Sequence, residues 1–306
     1  MSSSAVGTTA AKPPERNRSV FRDNSSDSIH ETLGPERQVI DHFDAVSDFY
    51  YEIVDAYRTD LGYYHRRELE ASEKWIAIMR PQTTLDAGCG PGRHSVQIVS
   101  RGHDVVSLDV SRRMLSHLMK EAARSSGPSS IRPVQGDIKR LPLPSNFFDL
   151  VVCMEVIEHF PRYPDDFRIA ARELARVIKP GGVLILEFPL RLHSLLRRLP
   201  RSTVSWSQVV RAQWRSSAVP TLTYQRRFSR VAVERIIEQV GLRVVERTFV
   251  RVIPSGYVDW FPGLENVDRL IEKIPVVNAC AREAVLVLRK SGKRLAEPSQ
   301  TIQERP

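Results

Sequence analysis

The segment Leu85-Asp86-Ala87-Gly88-Cys89-Gly90-Pro91-Gly92-Arg93 sets three glycines at alternate positions directly after a short apolar run. Without Cβ atoms such a turn bends sharply and lets backbone approach a ligand closely. The spacing is GxGxG. A dinucleotide fingerprint needs GxGxxG, and its last position is Arg93 here, a poor fit to close helix–strand packing. Asp109 stands 23 residues after Asp86, at the end of the next apolar run, where a carboxylate can accept both hydroxyl protons of a ribose diol. Asp137 ends the run after that, placed to accept from an exocyclic amine such as that of adenine. One acid at a strand end is often only a solvated surface group; three in register behind a glycine turn describe a nucleoside site that requires no pyrophosphate.

A second constellation lies in EVIEHF, where Glu155, Glu158 and His159 stand at i, i+3 and i+4, one face if the segment turns helical. Two carboxylates and an imidazole suit a general base, with His159 favoured because its charge changes near neutrality, or a divalent metal with mixed oxygen and nitrogen ligands. They could equally shape a pocket or start a helix. His193 is the one further candidate ligand nearby and fits no motif.

The elements that position these residues alternate. TTLDAG, DVVSLDV, IRPVQGD, FDLVVCM and GGVLILEFP read as strands, separated by helical stretches from Arg93, Arg112 and Asp165. Strands and helices in alternation, with few hairpin signals, predict an α/β, doubly wound, Rossmann-like sheet with parallel strands and crossover helices. Ser111 is an N-cap candidate for the helix from Arg112, and two acids at Asp165 and Asp166 suit the positive end of the next helix dipole. Upstream, the aromatic stretch from Arg37 to Pro81 reads as helices that pack over the sheet's edge or mouth, with Tyr50, Tyr51, Tyr63, Tyr64 and His65 closing over the site or simply filling a core.

Through LDAGCGPGRHS, VVSLDVSRRML, QGDIKRLPLPSNFFDLVVCMEVIEHF and ELARVIKPGGVLILEFP, the chain resembles a class I S-adenosylmethionine-dependent methyltransferase of the methyltransferase type 11 kind, strongly from Leu85 to Pro189 and more weakly over Phe43 to Lys290. The resemblance implies a seven-stranded sheet whose last strand inserts antiparallel, matched by GLRVVERTFV and REAVLVLRK. It implies that S-adenosyl-L-methionine is held with Asp86, Gly88 and Gly90 along its methionine and ribose part. Asp109 and Val110 then take the ribose hydroxyls, Asp137 and Ile138 flank adenine, and Met154 lies beside the sulfonium. ExxEH also resembles a segment of ubiquinone-pathway O-methyltransferases and small-RNA 2'-O-methyltransferases, where it is tied to a divalent metal such as Mg.

Composition bounds the partners. The chain has 306 residues, 42% hydrophobic and 26% charged, ordinary for a globular protein, and no apolar run long enough to span a membrane. Cys89, Cys153 and Cys280 are odd in number and far apart, which fits reduced thiols rather than a disulfide framework. The net charge is +9, and the nine arginines between Phe188 and Val233, with no lysine or acid among them, account for all of it. Within that stretch, Leu192, Leu195, Leu196 and Leu199 share helical spacing, as do Trp206, Val209, Val210 and Trp214, so an Arg-rich lid or a contact with an anionic membrane surface is expected ahead of nucleic acid.

The expected layout is a loose tail over 1–35, a helical cap over 36–82, a methyltransferase domain over 83–290 with the Arg-rich insertion at 190–228, and a second loose tail over 291–306. The expected activity is O-methylation of a lipophilic small molecule such as a quinone, polyketide or lipid-like acceptor, by a cytoplasmic enzyme with peripheral membrane contact. The alternatives are an RNA 2'-O-methyltransferase and a non-catalytic cofactor-binding partner subunit.

Overall fold

A computed structural model describes residues 34–59, 63–124, 130–192, 226–253, 258, 261, 263–275 and 277–292. The expected tails and most of the Arg-rich insertion fall outside these residues, as do the side chains of Tyr63, Tyr64 and His65.

Two helices, α1 (Pro35–Thr59) and α2 (Tyr63–Met79), precede the sheet. Then follow β1 (Thr84–Ala87), α3 (Arg93–Ser100), β2 (Val105–Asp109), α4 (Arg112–Arg124), β3 (Ile131–Gln135) and β4 (Phe148–Cys153). After a 3₁₀ turn at Ile157–His159 come α5 (Asp165–Val177), β5 (Ile178–Pro189), α6 (Arg230–Gln239), β6 (Leu242–Val250), α7 (Leu264–Ile271) and β7 (Glu283–Lys290).

The seven strands lie in the order β3-β2-β1-β4-β5-β7-β6. Strands β1 to β5 pair in parallel, and β7 runs antiparallel between β5 and β6, matching Glu283 with Pro189 and Val250. Near-continuous apolar runs build the central strands because helices cover both faces. Leu85, Leu150, Val151, Val152, Leu184, Ile185, Leu186 and Leu286 are fully removed from water. On one face the strands pack under α5 and α6 through Phe167, Leu174, Val233 and Ile237, and on the other under α2 and α3 through Trp75, Ile76 and Ile98.

The chain moves outward from β1 to β3 and then returns to place β4 on the other side of β1, so the strand order reverses between β1 and β4. A crevice opens at the carboxyl ends of the two strands flanking such a reversal. Register fixes what meets there, since Asp86 pairs with Val152 and the residues just beyond, Gly88 and Met154, stand at the same level.

Candidate active site

The glycine turn leaves β1 with its amides committed. Gly88 and Cys89 donate to the Leu108 carbonyl at 2.7 and 3.0 Å, which ties the turn to β2. Gly88 sits at φ +82, and a Cβ there would lie 2.4 Å from Val156 Cγ2, so only glycine lets the β1 and β4 exits touch. Gly90 differs. At φ +52 its missing Cβ would meet nothing within 4 Å, because it faces open cavity.

Asp109 organises this turn. Its Oδ2 accepts the Gly90 amide at 2.9 Å and its Oδ1 the Ser111 amide at 2.8 Å. Each carboxylate oxygen carries two lone pairs, so both retain acceptor capacity toward the cavity. Burial pushes its pKa up to about 6, against the pull of the Ser111 and Gly90 amides. Ser111 caps α4 as its position suggests, its hydroxyl accepting the Met114 amide at 3.1 Å.

A cavity of about 640 Å³ fills the crevice. Gly88, Gly90, Asp109, Val110, Asp137 and Ile138 line one end. Met154, Glu155, Glu158 and His159 line the wall leaving β4. Of the cofactor-binding and catalytic residues expected at the site, Asp86 alone is absent from this lining. It lies 2% exposed beneath the turn, takes the Ser95 hydroxyl at 2.6 Å, and is pushed to a pKa of about 6 by burial. Its part is to pin α3 under β1. Cys89 also lines the cavity, but burial pushes its thiol well up, so it stays protonated.

The EVIEHF segment departs from a single helical face. Glu155 adopts φ +55, held there by its amide on Glu187 Oε2 at 2.7 Å and its side chain on Arg93 at 3.0 Å. Only Ile157–His159 turns, as 3₁₀ rather than α, so Glu155 diverges from the other two. Glu158 turns inward, 9% exposed, and burial with the neighbouring Glu155 charge pushes its carboxyl well up. His159 Nε2 lies 3.9 Å from Glu158 Oε1, and the imidazole meets the Phe43 ring edge-on at 4.9 Å. A divalent metal, weighed beside a general base for this triad, finds no converging ligand set there: among the described residues, the carboxylates that gather are Glu68, Glu187 and Glu283.

Helix α1 roofs the cavity with Glu36, Val39, Ile40 and Phe43, spaced i, i+3, i+4 and i+7, and with Tyr50 further along. That spacing is visible in the sequence, although only Tyr50 stood out there as a cavity residue. Three contacts latch the roof to α4. Asp44 accepts the Ser111 hydroxyl at 2.5 Å, Asp48 accepts from His117 Nε2 at 2.9 Å, and the Tyr51 hydroxyl donates to Glu121 at 2.8 Å. The far wall brings Arg226 and Arg227, from the end of the expected Arg-rich insertion, and Arg282 and Glu283, which no local pattern announces.

A model of the methyltransferase domain matches residues 85–186, from the glycine strand through β5. The chain carries a class I S-adenosylmethionine-dependent methyltransferase domain. Among curated methyltransferases, it is 33% identical over 136 residues to the probable methyltransferase ltbC of Aspergillus luteorubrus, covering 42% of this chain and 47% of that protein. It is 35% identical over 119 residues to a malonyl-[acyl-carrier protein] O-methyltransferase of Enterobacter lignolyticus, covering 39% and 43%. The matched part thus spans about half the length of these curated relatives. The methyltransferase fold extends further: magnesium protoporphyrin IX methyltransferase from Synechocystis, solved with bound S-adenosylmethionine, superposes with a TM-score of 0.57 at 14% identity, over 85% of this chain and 99% of that one. Among the described residues no helix is long and apolar enough to cross a membrane.

Proposed function

We propose that the protein binds S-adenosyl-L-methionine at the Gly88–Asp109–Asp137 end of the cavity and transfers its methyl group to an oxygen of a lipophilic small molecule held under α1. The observation that carries this reading is the continuity of one cavity from the glycine turn to His159 beneath an apolar roof. The fit to the cofactor rests on Gly90, whose open Cβ direction leaves room for a ligand against the backbone, and on Asp109, whose oxygens keep lone pairs for the two ribose hydroxyls. Asp137 and Ile138 form the adenine edge, and Met154 flanks the reacting end.

The bound cofactor supplies an activated methyl group; the protein supplies position and a proton acceptor. An oxygen nucleophile must lose its proton as it attacks. Of the three candidate bases, Glu155 is tied to Arg93 and burial pushes the Glu158 carboxyl well above the usual carboxylate range, so the reading assigns the proton to His159. Edge-on contact with Phe43 fixes its ring between the roof and the floor. The aliphatic and aromatic side chains Val39, Ile40, Phe43 and Tyr50 favour an acceptor with apolar surface. In this reading the arginines between Phe188 and Val233 meet an anionic membrane surface from which such an acceptor is drawn.

The test incubates purified protein with methyl-labelled S-adenosylmethionine and a fractionated extract, then separates label into organic-soluble, RNA and protein pools. Label in the organic-soluble pool that resists amine-specific derivatisation supports O-methylation of a lipophilic acceptor. Label in RNA overturns the acceptor class in favour of a 2'-O-methyltransferase, and cofactor binding without any labelled product points to a non-catalytic partner subunit.

A further inference from the structure

Below the wall of the cavity, three glutamates from distant parts of the chain come together: Glu68 from α2, Glu187 from β5 and Glu283 from β7. One carboxylate oxygen of each lies within 4.8 Å of the other two, and the residues are 0%, 1% and 3% exposed. Burying three carboxylates side by side is costly unless each is compensated.

Two are. Arg93 Nη1 lies 3.0 Å from Glu68 Oε2, while Arg251 Nη2 and Arg282 Nε lie 2.9 and 3.1 Å from Glu283 Oε1. Glu187 is not. Among the described residues its one partner is the Glu155 amide on Oε2, and Oε1 is buried with no donor in reach.

We propose that Glu68, Glu187 and Glu283 form a binding site for a hard divalent cation of the size of Ca²⁺ or Mn²⁺. The donor set is all oxygen, which selects such ions over those that prefer sulfur or nitrogen. Ligands on opposite sides of an ion with bonds of about 2.3–2.6 Å stand about 4.6–5.2 Å apart, so oxygens gathered within 4.8 Å are spaced closely enough to share one such ion. The guanidiniums then act on the outer oxygens and orient the ligating carboxylates, as hydrogen-bonded outer groups do around metal centres. Glu283 lines the cavity, which gives the ion an entry path, and waters from the cavity complete its shell. The site is separate from the ExxEH triad and does not depend on the acceptor assigned above. An ion there ties α2, β5 and β7 together beside the Glu155 turn.

The experiment uses the full chain, stripped with a chelator and desalted. Mn²⁺ is titrated while free Mn²⁺ is read by electron paramagnetic resonance, Ca²⁺ is added as competitor, and melting temperature is followed with each ion. The expected result is one Mn²⁺ per chain, displaced by Ca²⁺, with a raised melting temperature, and at least tenfold weaker binding in Glu187→Gln. Glu68→Gln serves as the second variant should Glu187→Gln fail to fold. Absence of Mn²⁺ binding up to millimolar concentration, or equal binding by wild type and a folded variant, overturns the proposal.

Discussion

Replacing Asp109 by Asn separates binding from stability. The side chain keeps its shape and one acceptor oxygen, but the new amide nitrogen cannot accept, so Gly90 or Ser111 loses its partner and one ribose hydroxyl loses an ionised acceptor. A hydrogen bond to a charged group contributes about 1.5–3 kcal/mol, which corresponds to a cofactor affinity about 10- to 150-fold weaker. Stability moves the other way. The folded pKa of about 6 exceeds the ordinary 3.8, so the stabilisation from a protonated Asp109 is complete below about pH 4 and lost as pH rises through 6. The gap corresponds to roughly 3 kcal/mol at neutral pH, and Asn escapes it at the expense of one backbone hydrogen bond worth about 1 kcal/mol. Calorimetric titration with S-adenosylhomocysteine measures the first effect without turnover, and thermal melting of cofactor-free protein near pH 8 measures the second. We expect weakened binding in a variant that melts no lower than wild type. An affinity within about threefold of wild type would refute the ribose assignment, and a large drop in melting temperature would refute burial as the origin of the raised pKa.

Cofactor affinity in the wild type should be flat above pH 7 and fall as pH drops through about 6, where Asp109 gains a proton between the Gly90 and Ser111 amides and beside Asp44; Asp86 titrates in the same range, so titrations of Asp109→Asn isolate its share. Gly88→Ala should cost about 1–3 kcal/mol of stability through the clash with Val156, whereas Gly90→Ala should cost about 1 kcal/mol and instead weaken cofactor binding, as paired melts and titrations would reveal. His159→Ala should lower turnover about 10²- to 10⁴-fold at near-normal cofactor affinity; full activity would return His159 to a purely packing role.

Much of this architecture is legible in the sequence because it is encoded locally. A GxGxG turn after an apolar run and an N-cap serine each act over a few residues, and the alternation of elements fixes a parallel sheet. Helices over the sheet's edge or mouth were legible in the aromatic stretch, but Val39, Ile40 and Phe43 were not singled out, since a helical period says which face is apolar and not which of its residues meet the cavity. The EVIEHF spacing misled because helical spacing was applied to a segment that the Glu187–Glu155 and Arg93–Glu155 bonds hold out of helix. Asp86 shared its motif with the lining residues, yet burial turned it to the Ser95 hydroxyl. Glu68, Glu187 and Glu283 carry no local signal at all, because three separate strands and helices must fold before they meet.

The antiparallel insertion of β7 has a consequence for biosynthesis. Strands β5 and β6 are translated before it, yet neither reaches the other in the finished sheet without residues 283–290 between them. A nascent chain that has already produced six strands therefore holds two unpaired inner edges, the kind of surface that recruits foreign strands and calls for chaperone shielding. The same late segment delivers Glu283 to the cavity wall. Chains that end before residue 283 therefore lack both the strand that joins β5 to β6 and the Glu283 part of the cavity wall.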